Sequence, residues 1–253
     1  GGSPEHISSF NSLKKKYKFF WIEDACHAFG SSYFYKKKYK VGSCKHADIS
    51  TFSFHPLKTI TTGEGGAVTT NNNKFYIKMK NFRSQGLLAD RKFHWKYHRS
   101  GLGLNYRMND IQCALGISQL SKINSITKKR RNIAKNYDKL LSTIPSFVSI
   151  PKYEDKNVSS SHLYLVSINF SKLKVKKDFL FKYFLKRKIR LQFHYTPIYS
   201  FKNAEFSGIC EKKNSRKYFL KVVSIPIHLG INFSHQKLIF KTFKTFFQKY
   251  KKN

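Results

Sequence analysis

Asp48-Ile-Ser-Thr-Phe-Ser-Phe-His-Pro-Leu-Lys-Thr-Ile-Thr-Thr-Gly-Glu-Gly-Gly-Ala-Val-Thr-Thr70 reads as a strand, a break and a returning strand. Asp48–Phe54 is rich in β-branched and aromatic residues, as a strand should be. Pro56 then discourages both further pairing and helix at His55, so the strand stops just before Lys58. Gly63-Glu64-Gly65-Gly66 is a tight turn by its glycines, and Ala67–Thr70 is the strand that comes back. Upstream, Lys18-Phe-Phe-Trp-Ile22 is a second short apolar run, and it ends abruptly in Glu23-Asp24. That pattern predicts a buried strand with acids at its carboxyl end, where ligands bind in open α/β sheets. Asp24 also suits a helix N-cap ahead of Ala25-Cys26-His27-Ala28, and the two readings are compatible.

Further out, residues 6–17 are expected to form a helix and the basic, aromatic Tyr33–Val41 stretch a surface hairpin or loop. Asn81–Arg107 shows little periodicity and reads as a functional loop. Asn109 followed by Gln112 looks like a capping box opening one long amphipathic helix, with Met108, Ile111, Leu115, Ile123 and Ile126 on its apolar face. Pro145 and Pro151 bound a linker into a region with a strand near His162–Phe170 and a helix near Lys177–Lys188. A terminal helix from His235 carries Ile239, Phe243, Phe246, Phe247 and Tyr250 at helical spacing. The organisation expected is residues 1–122 as one domain and 123–253 as a linking helix and a smaller α+β domain.

The chain has 253 residues, 40% of them hydrophobic, so it can build a sizeable core and is not disordered. Lys and Arg total 49 against 13 acids, a formal charge of +36. That excess draws polyanions, but it is spread through the chain and accompanied by 24 Phe and 15 Tyr, so it reads as lysine-rich decoration of a folded protein. No apolar stretch is long enough to span a bilayer. The four cysteines, Cys26, Cys44, Cys113 and Cys210, form no CxxC pair, which points to a reduced, cytoplasmic setting without a disulfide framework.

Three features fall in order: an acid at a strand end (Asp24), a lysine after another strand (Lys58) and Asn105-Tyr106-Arg107 entering a helix. Together they suggest amine chemistry, because a lysine can bond an aldehyde cofactor while a carboxylate keeps a pyridine nitrogen protonated. Neither residue carries that reading alone, least of all a lysine among 49 basic residues.

Trp21-Ile-Glu-Asp-Ala-Cys-His-Ala-Phe-Gly30, Thr51–Lys58, Gly63–Thr70 and Gly103-Leu-Asn-Tyr-Arg-Met-Asn-Asp-Ile-Gln-Cys-Ala-Leu-Gly116 closely resemble blocks of the DegT/DnrJ/EryC1/StrS family of nucleotide-sugar aminotransferases. His194-Tyr195-Thr-Pro197-Ile-Tyr199 and Ser224-Ile-Pro226-Ile-His228 resemble later segments of the same family, so the resemblance covers nearly the whole chain. It implies the α/β aspartate-aminotransferase fold (fold type I), pyridoxal 5′-phosphate as cofactor, and residues 1–122 as the later part of the cofactor-binding large domain.

By the same resemblance Lys58 would bond the cofactor and move the substrate proton, and Asp24 would pair with the ring nitrogen. His27 would lie near the ring hydroxyl, unless it is a core histidine bonded to backbone. Ser53 would reach the phosphate, and Asn105 would reach the phosphate of a partner subunit's cofactor, which makes a homodimer necessary. Glu64, Tyr106, Arg107 and His228 are candidate substrate contacts; a plain turn explains Glu64, and loop packing or surface charge explains Tyr106 and Arg107, equally well. The combination Asp24–Ala28, Phe54–Lys58 and Ile60–Gly66 is most like the branch serving pseudaminic acid biosynthesis, with L-glutamate as donor and a UDP-linked 4-keto-6-deoxy-N-acetylhexosamine as acceptor. Another UDP- or dTDP-linked keto-sugar is the alternative.

The family also carries a long segment ahead of the part that Gly1-Gly2-Ser3 resembles, supplying the helix N-terminus for the phosphate, an aromatic over the ring and part of the sugar site. The chain is accordingly expected to be a fragment of a longer enzyme or a truncated product. From a different class, an inactive homologue acting as a basic polyanion binder would use aromatic-basic runs such as His94-Trp95-Lys96-Tyr97-His98-Arg99, but no recognised nucleic-acid module appears and none specific to nucleic acid is expected. His94 and His98 lack an HExxH glutamate and a third ligand, so no metal site is expected.

Overall fold

The structure, a computed structural model, describes residues 1–90, 92–154, 156–201 and 213–252. Cys210 lies outside the described residues. The chain divides into two compact units: Gly2–Thr127 with Glu154–Ser160, and Gly1 with Lys128–Tyr153 and Ser161–Asn253.

The first unit opens with α1 (Ile7–Tyr17), followed by β1 (Ile22–Asp24), the hairpin β2 (Ser32–Tyr35) and β3 (Lys37–Lys40), then β4 (Ile49–Ser53) and β5 (Gly66–Thr69). β1 and β4 are parallel, with Asp24 opposite Thr51, and β5 returns antiparallel to β4, with Gly66 opposite Ser53. Along β4 Ser50 and Phe52 are buried, so Thr51 and Ser53 lie on the other face. A small core of Ile7, Ala25, Tyr33, Val41 and Phe52 holds these pieces together. The basic hairpin is pinned by Tyr33, whose hydroxyl lies 2.8 Å from His46 Nδ1, and it leaves its lysines in solvent.

α2 (Asn73–Arg83), the hairpin β6 (Leu87–Ala89) and β7 (Tyr97–Arg99), and α3 (Asp110–Ser121) complete the unit with the first turn of α4 (Ile123–Leu141). Three expectations are corrected. The strand after Phe20 ends in the acids, as expected, but it is not buried: it is an edge strand with Ile22 63% exposed, because no described strand pairs with its outer side. Residues 81–107, expected as a functional loop, contain a hairpin held by three residue pairs. The single long helix after Asn109 is two helices that part at Lys122, whose N–H bonds back to Gln119 and Leu120, and α3 buries none of its residues.

In the second unit the rest of α4 precedes β8 (Val148–Ser149), β9 (Tyr164–Ile168), α5 (Lys177–Leu185), α6 (Lys213–Lys221), β10 (Val222–Ile225) and α7 (Phe233–Tyr250). β9 is the centre of an antiparallel sheet in the order β10-β9-β8. Its alternate residues Tyr164, Val166 and Ile168 point into a core shared with Tyr137, Leu180, Phe184, Phe243 and Phe246. α7 starts at an Asn232–His235 capping box and buries Ile239, Phe243, Phe246 and Phe247 on one face, as their spacing requires.

Candidate functional site

The parallel pairing of β1 and β4 brings Asp24 to the same end of the sheet as the Thr51–Ser53 terminus of β4. The chain tightens beyond Ser53. The Ser53 hydroxyl accepts from His55 N–H at 3.4 Å, and Lys58 N–H bonds to His55 O at 2.9 Å. The loop is closed at its base by Phe54, which donates to Gly65 O and accepts from Thr62 N–H. Thr59 and Ile60 are buried beneath it, and half-buried Lys58 is held on a short, anchored turn. Among the described residues the buried Thr59 hydroxyl has no hydrogen-bond partner.

Asp24 Oδ1 accepts the Cys26 N–H at 3.0 Å. Hydrogen bonds from the Cys26 thiol and backbone hold the Asp24 carboxyl below the usual carboxylate range, and the positive charge of His27 and Lys58 adds to this against a desolvation that opposes it. Asp24, His27 and Lys58 are therefore within electrostatic reach of one another. Burial and the neighbouring Asp24 push the Cys26 thiol up, so it stays protonated and donates. His27 is half-buried and its carbonyl accepts from the Ser160 hydroxyl at 2.9 Å.

A second group gathers on the far side of the β4–β5 turn. A cavity of about 1160 Å³ is walled by Glu64, Arg83, Tyr106, Arg107, Met108 and Gln112, among others. Residues 104–106 run alongside 82–85, with Leu104 N–H bonded to Phe82 O and Tyr106 N–H to Arg83 O. Tyr106 packs edge-on against Phe82 and is otherwise exposed, while the exposed Asn105 side chain accepts from Arg107 N–H at 3.4 Å. The turn that carries Glu64 needs its glycines: Gly65 has φ of +147°, and a Cβ on Gly66 would come 2.6 Å from Phe52 O.

The structure thus brings Asp24, His27 and Lys58 within electrostatic reach, with Ser53 at the end of β4, and gathers Glu64, Tyr106 and Arg107 around a separate cavity. Asp24 borders a different, smaller cavity of about 460 Å³ with α1 and Phe19–Ile22. His228 belongs to the second unit, where its exposed ring accepts from Gly230 N–H at 3.2 Å. Sequence reasoning did not pick out Cys26 as the partner that sets Asp24, nor Gln112 as the anchor of the Glu64 carbonyl. Gln112 closes the Asn109 capping box with Oε1 and donates from Nε2 to Glu64 O at 3.1 Å. Its position after Asn109 was the available signal for the first bond; nothing local signals the second.

The donor set suits a phosphorylated pyridine aldehyde: an amine on a rigid turn, an ionised carboxylate beside it, and a hydroxyl and close-approach glycines at the adjacent strand end.

The DegT/DnrJ/EryC1/StrS aminotransferase family model matches residues 1–244. A UDP-4-amino-4,6-dideoxy-N-acetyl-β-L-altrosamine transaminase of Campylobacter jejuni (strain 81-176) is 39% identical over 253 residues, 100% of this chain and 65% of its own length. A GDP-perosamine synthase of Escherichia coli O157:H7 is 41% identical over 167 residues, 66% of this chain and 42% of its own. The structure of Helicobacter pylori PseC, an aminotransferase involved in pseudoaminic acid biosynthesis, superposes with a TM-score of 0.85 at 33% identity, covering 97% of this chain and 64% of that one. The PLP form of a putative sugar aminotransferase of Streptococcus pneumoniae gives a TM-score of 0.78 at 25% identity, covering 94% and 60%. The chain spans about 65% of the length of the first of these relatives.

Proposed function

Because the chain belongs to the DegT/DnrJ/EryC1/StrS aminotransferase family, we propose that it transfers the amino group of L-glutamate to a UDP-linked 4-keto-6-deoxy-N-acetylhexosamine, using pyridoxal 5′-phosphate, for pseudaminic acid synthesis. The fold is the α/β architecture of the fold type I aminotransferases. The observation that carries the reading is the convergence of Lys58 with an ionised Asp24 at the carboxyl ends of parallel β1 and β4.

Asp24 would hold a proton on the ring nitrogen, Ser53 would donate to the phosphate and His27 would meet the ring hydroxyl. When bound, the cofactor supplies an electron sink for the carbon at which the amino group is exchanged. Lys58 would hold the cofactor and would move the proton between the substrate carbon and the cofactor carbon, a role suited to an amine on an anchored turn. The partner subunit's Asn105 would complete the phosphate site in a homodimer. Glu64, Tyr106, Arg107 and His228 would orient the nucleotide-sugar. Residues 1–122 would form the later part of the cofactor domain and 123–253 the linking helix and small domain, in a cytoplasmic enzyme.

Identity to the GDP-perosamine synthase favours one alternative, a different nucleotide-linked keto-sugar as acceptor. Assays of 2-oxoglutarate formation with glutamate and either a UDP-linked or a GDP-linked 4-keto-6-deoxy sugar decide between them. Turnover with the UDP-linked N-acetylated substrate supports the proposal, and turnover only with the GDP-linked substrate overturns it.

A further inference from the structure

α3 buries none of its residues, yet it meets the turn that follows Lys58 at two points, Gln112 and Gly116. Four apart, the two lie on one face of the helix. Gln112 Nε2 donates to Glu64 O at 3.1 Å, and a Cβ on Gly116 would come 2.9 Å from Thr62 Cγ2. The Gln112 amide has one orientation that serves both its bonds: Oε1 accepts the Asn109 N–H at 3.1 Å, and a reversed amide would set oxygen against the Glu64 carbonyl.

Glu64 O has a second donor, the buried Thr62 hydroxyl at 2.7 Å. The next carbonyl, Gly65 O, takes the Phe54 N–H at 2.8 Å, and Phe54 O takes both the Thr62 N–H and the Thr61 hydroxyl at 3.0 Å. Those bonds close the base of the loop that carries Lys58. An unbroken path therefore runs from the helix to the lysine loop: Gln112 to Glu64, along the chain to Gly65, and across to Phe54. A residue needed only to cap α3 would use its acceptor alone, and glutamate serves a capping box as well as glutamine does. Glutamine adds a donor, and that donor goes to the Lys58 loop.

We infer that Gln112 is a positioning residue that, together with Thr62, fixes the Glu64–Gly65 backbone and so holds the loop presenting the Lys58 amine. The inference rests on the reading of Lys58 as the cofactor-holding amine of the proposed aminotransferase. Gln112 acts through the carbonyl it holds.

The test uses Gln112→Glu, which keeps an acceptor for the Asn109 N–H, suits a helix N-terminus and removes the donor. Thr62→Val, which keeps the side-chain shape and removes the other donor, and the double variant accompany it. Amide exchange is measured for peptides carrying residues 54–66 and 109–121. The rate at which added pyridoxal 5′-phosphate becomes reducible onto Lys58 by borohydride is followed alongside, with steady-state kinetics on glutamate and the UDP-linked keto-sugar. In Gln112→Glu exchange should rise about five- to tenfold in 54–66, as for a lost hydrogen bond, and stay unchanged in 109–121. Capture on Lys58 and kcat should fall by a similar factor, because the amine is less well oriented, with KM for glutamate unchanged. The double variant should lose more than the product of the two single losses, because either donor alone still satisfies the carbonyl. Unchanged exchange in 54–66 of folded Gln112→Glu, exchange raised equally in 109–121, or faster exchange with capture and kcat intact overturns the inference. Faster exchange confined to 54–66, in a protein whose parent form takes up no cofactor on Lys58, upholds the fastening of the loop and overturns instead the assignment of Lys58 to the cofactor.

Discussion

The Asp24 carboxylate gains its character from the residue two along the chain. Its hydrogen bonds from Cys26 keep it ionised, and a folded-state pKa below the unfolded one means that this contribution to stability is present above the unfolded value, near pH 4, and is lost as pH falls through the folded value. Two outcomes are expected. The pH–rate profile shows no ionisation assignable to Asp24 between about pH 5 and 8, and Asp24→Asn loses activity by orders of magnitude across that whole range. A variant as active as the parent would remove Asp24 from the chemistry. At this scale much of the candidate site was legible, because Asp24 and Lys58 each sit where an apolar run stops. The Cys26 thiol and the Gln112-to-Glu64 bond were not, since each depends on an approach that spacing alone does not encode.

Elements whose apolar residues face a core could be read, and those without such a face could not. α7 and β9 were legible because Phe243, Phe246 and Phe247 at helical spacing and Tyr164, Val166 and Ile168 at alternate positions have one packing solution each. α2 buries nothing, so its Asn72 cap, which accepts from Lys74 and Phe75, was the only local signal it carried. The break between α3 and α4 falls at Lys122 without proline or glycine, and no breaker announced it. Truncating Phe243, fully buried 4.6 Å from the Phe184 ring centroid, should cost about 3–5 kcal/mol, measured by urea unfolding. A loss below about 1 kcal/mol would show that this core is not the one described.

Burial also sets a pH limit on these elements. Desolvation pushes Tyr33 up to about 12 and raises Tyr137 and Tyr164 as well, the latter helped by its 2.5 Å bond to Asp138. Groups whose folded pKa is raised keep their full contribution below the unfolded value and lose it as pH rises above it. Stability should therefore fall above about pH 10, with part of the tyrosinate absorbance appearing only as the protein unfolds. Smooth ionisation of every tyrosine near pH 10 with circular dichroism intact would contradict this.

The whole molecule carries +36, yet the face best suited to a partner is apolar. Ile111 and Ile117 on α3 and nearby Leu102 are 83%, 71% and 82% exposed, beside the Asn105 proposed to serve a second subunit's cofactor. If a second copy covers this face, Ile111→Lys with Ile117→Lys should convert a dimer into a monomer by sedimentation and abolish turnover together. A monomeric parent, or a double variant that stays dimeric, would place the contact elsewhere.

The central claim is that Lys58 is the amine that holds the cofactor. Borohydride reduction of the purified protein after addition of pyridoxal 5′-phosphate, with the labelled peptide identified by mass spectrometry, tests it most directly. The account predicts one reduced pyridoxyl group on Lys58, lost in Lys58→Ala and displaced when glutamate is added first. Label scattered over surface lysines, with none on Lys58, would contradict it.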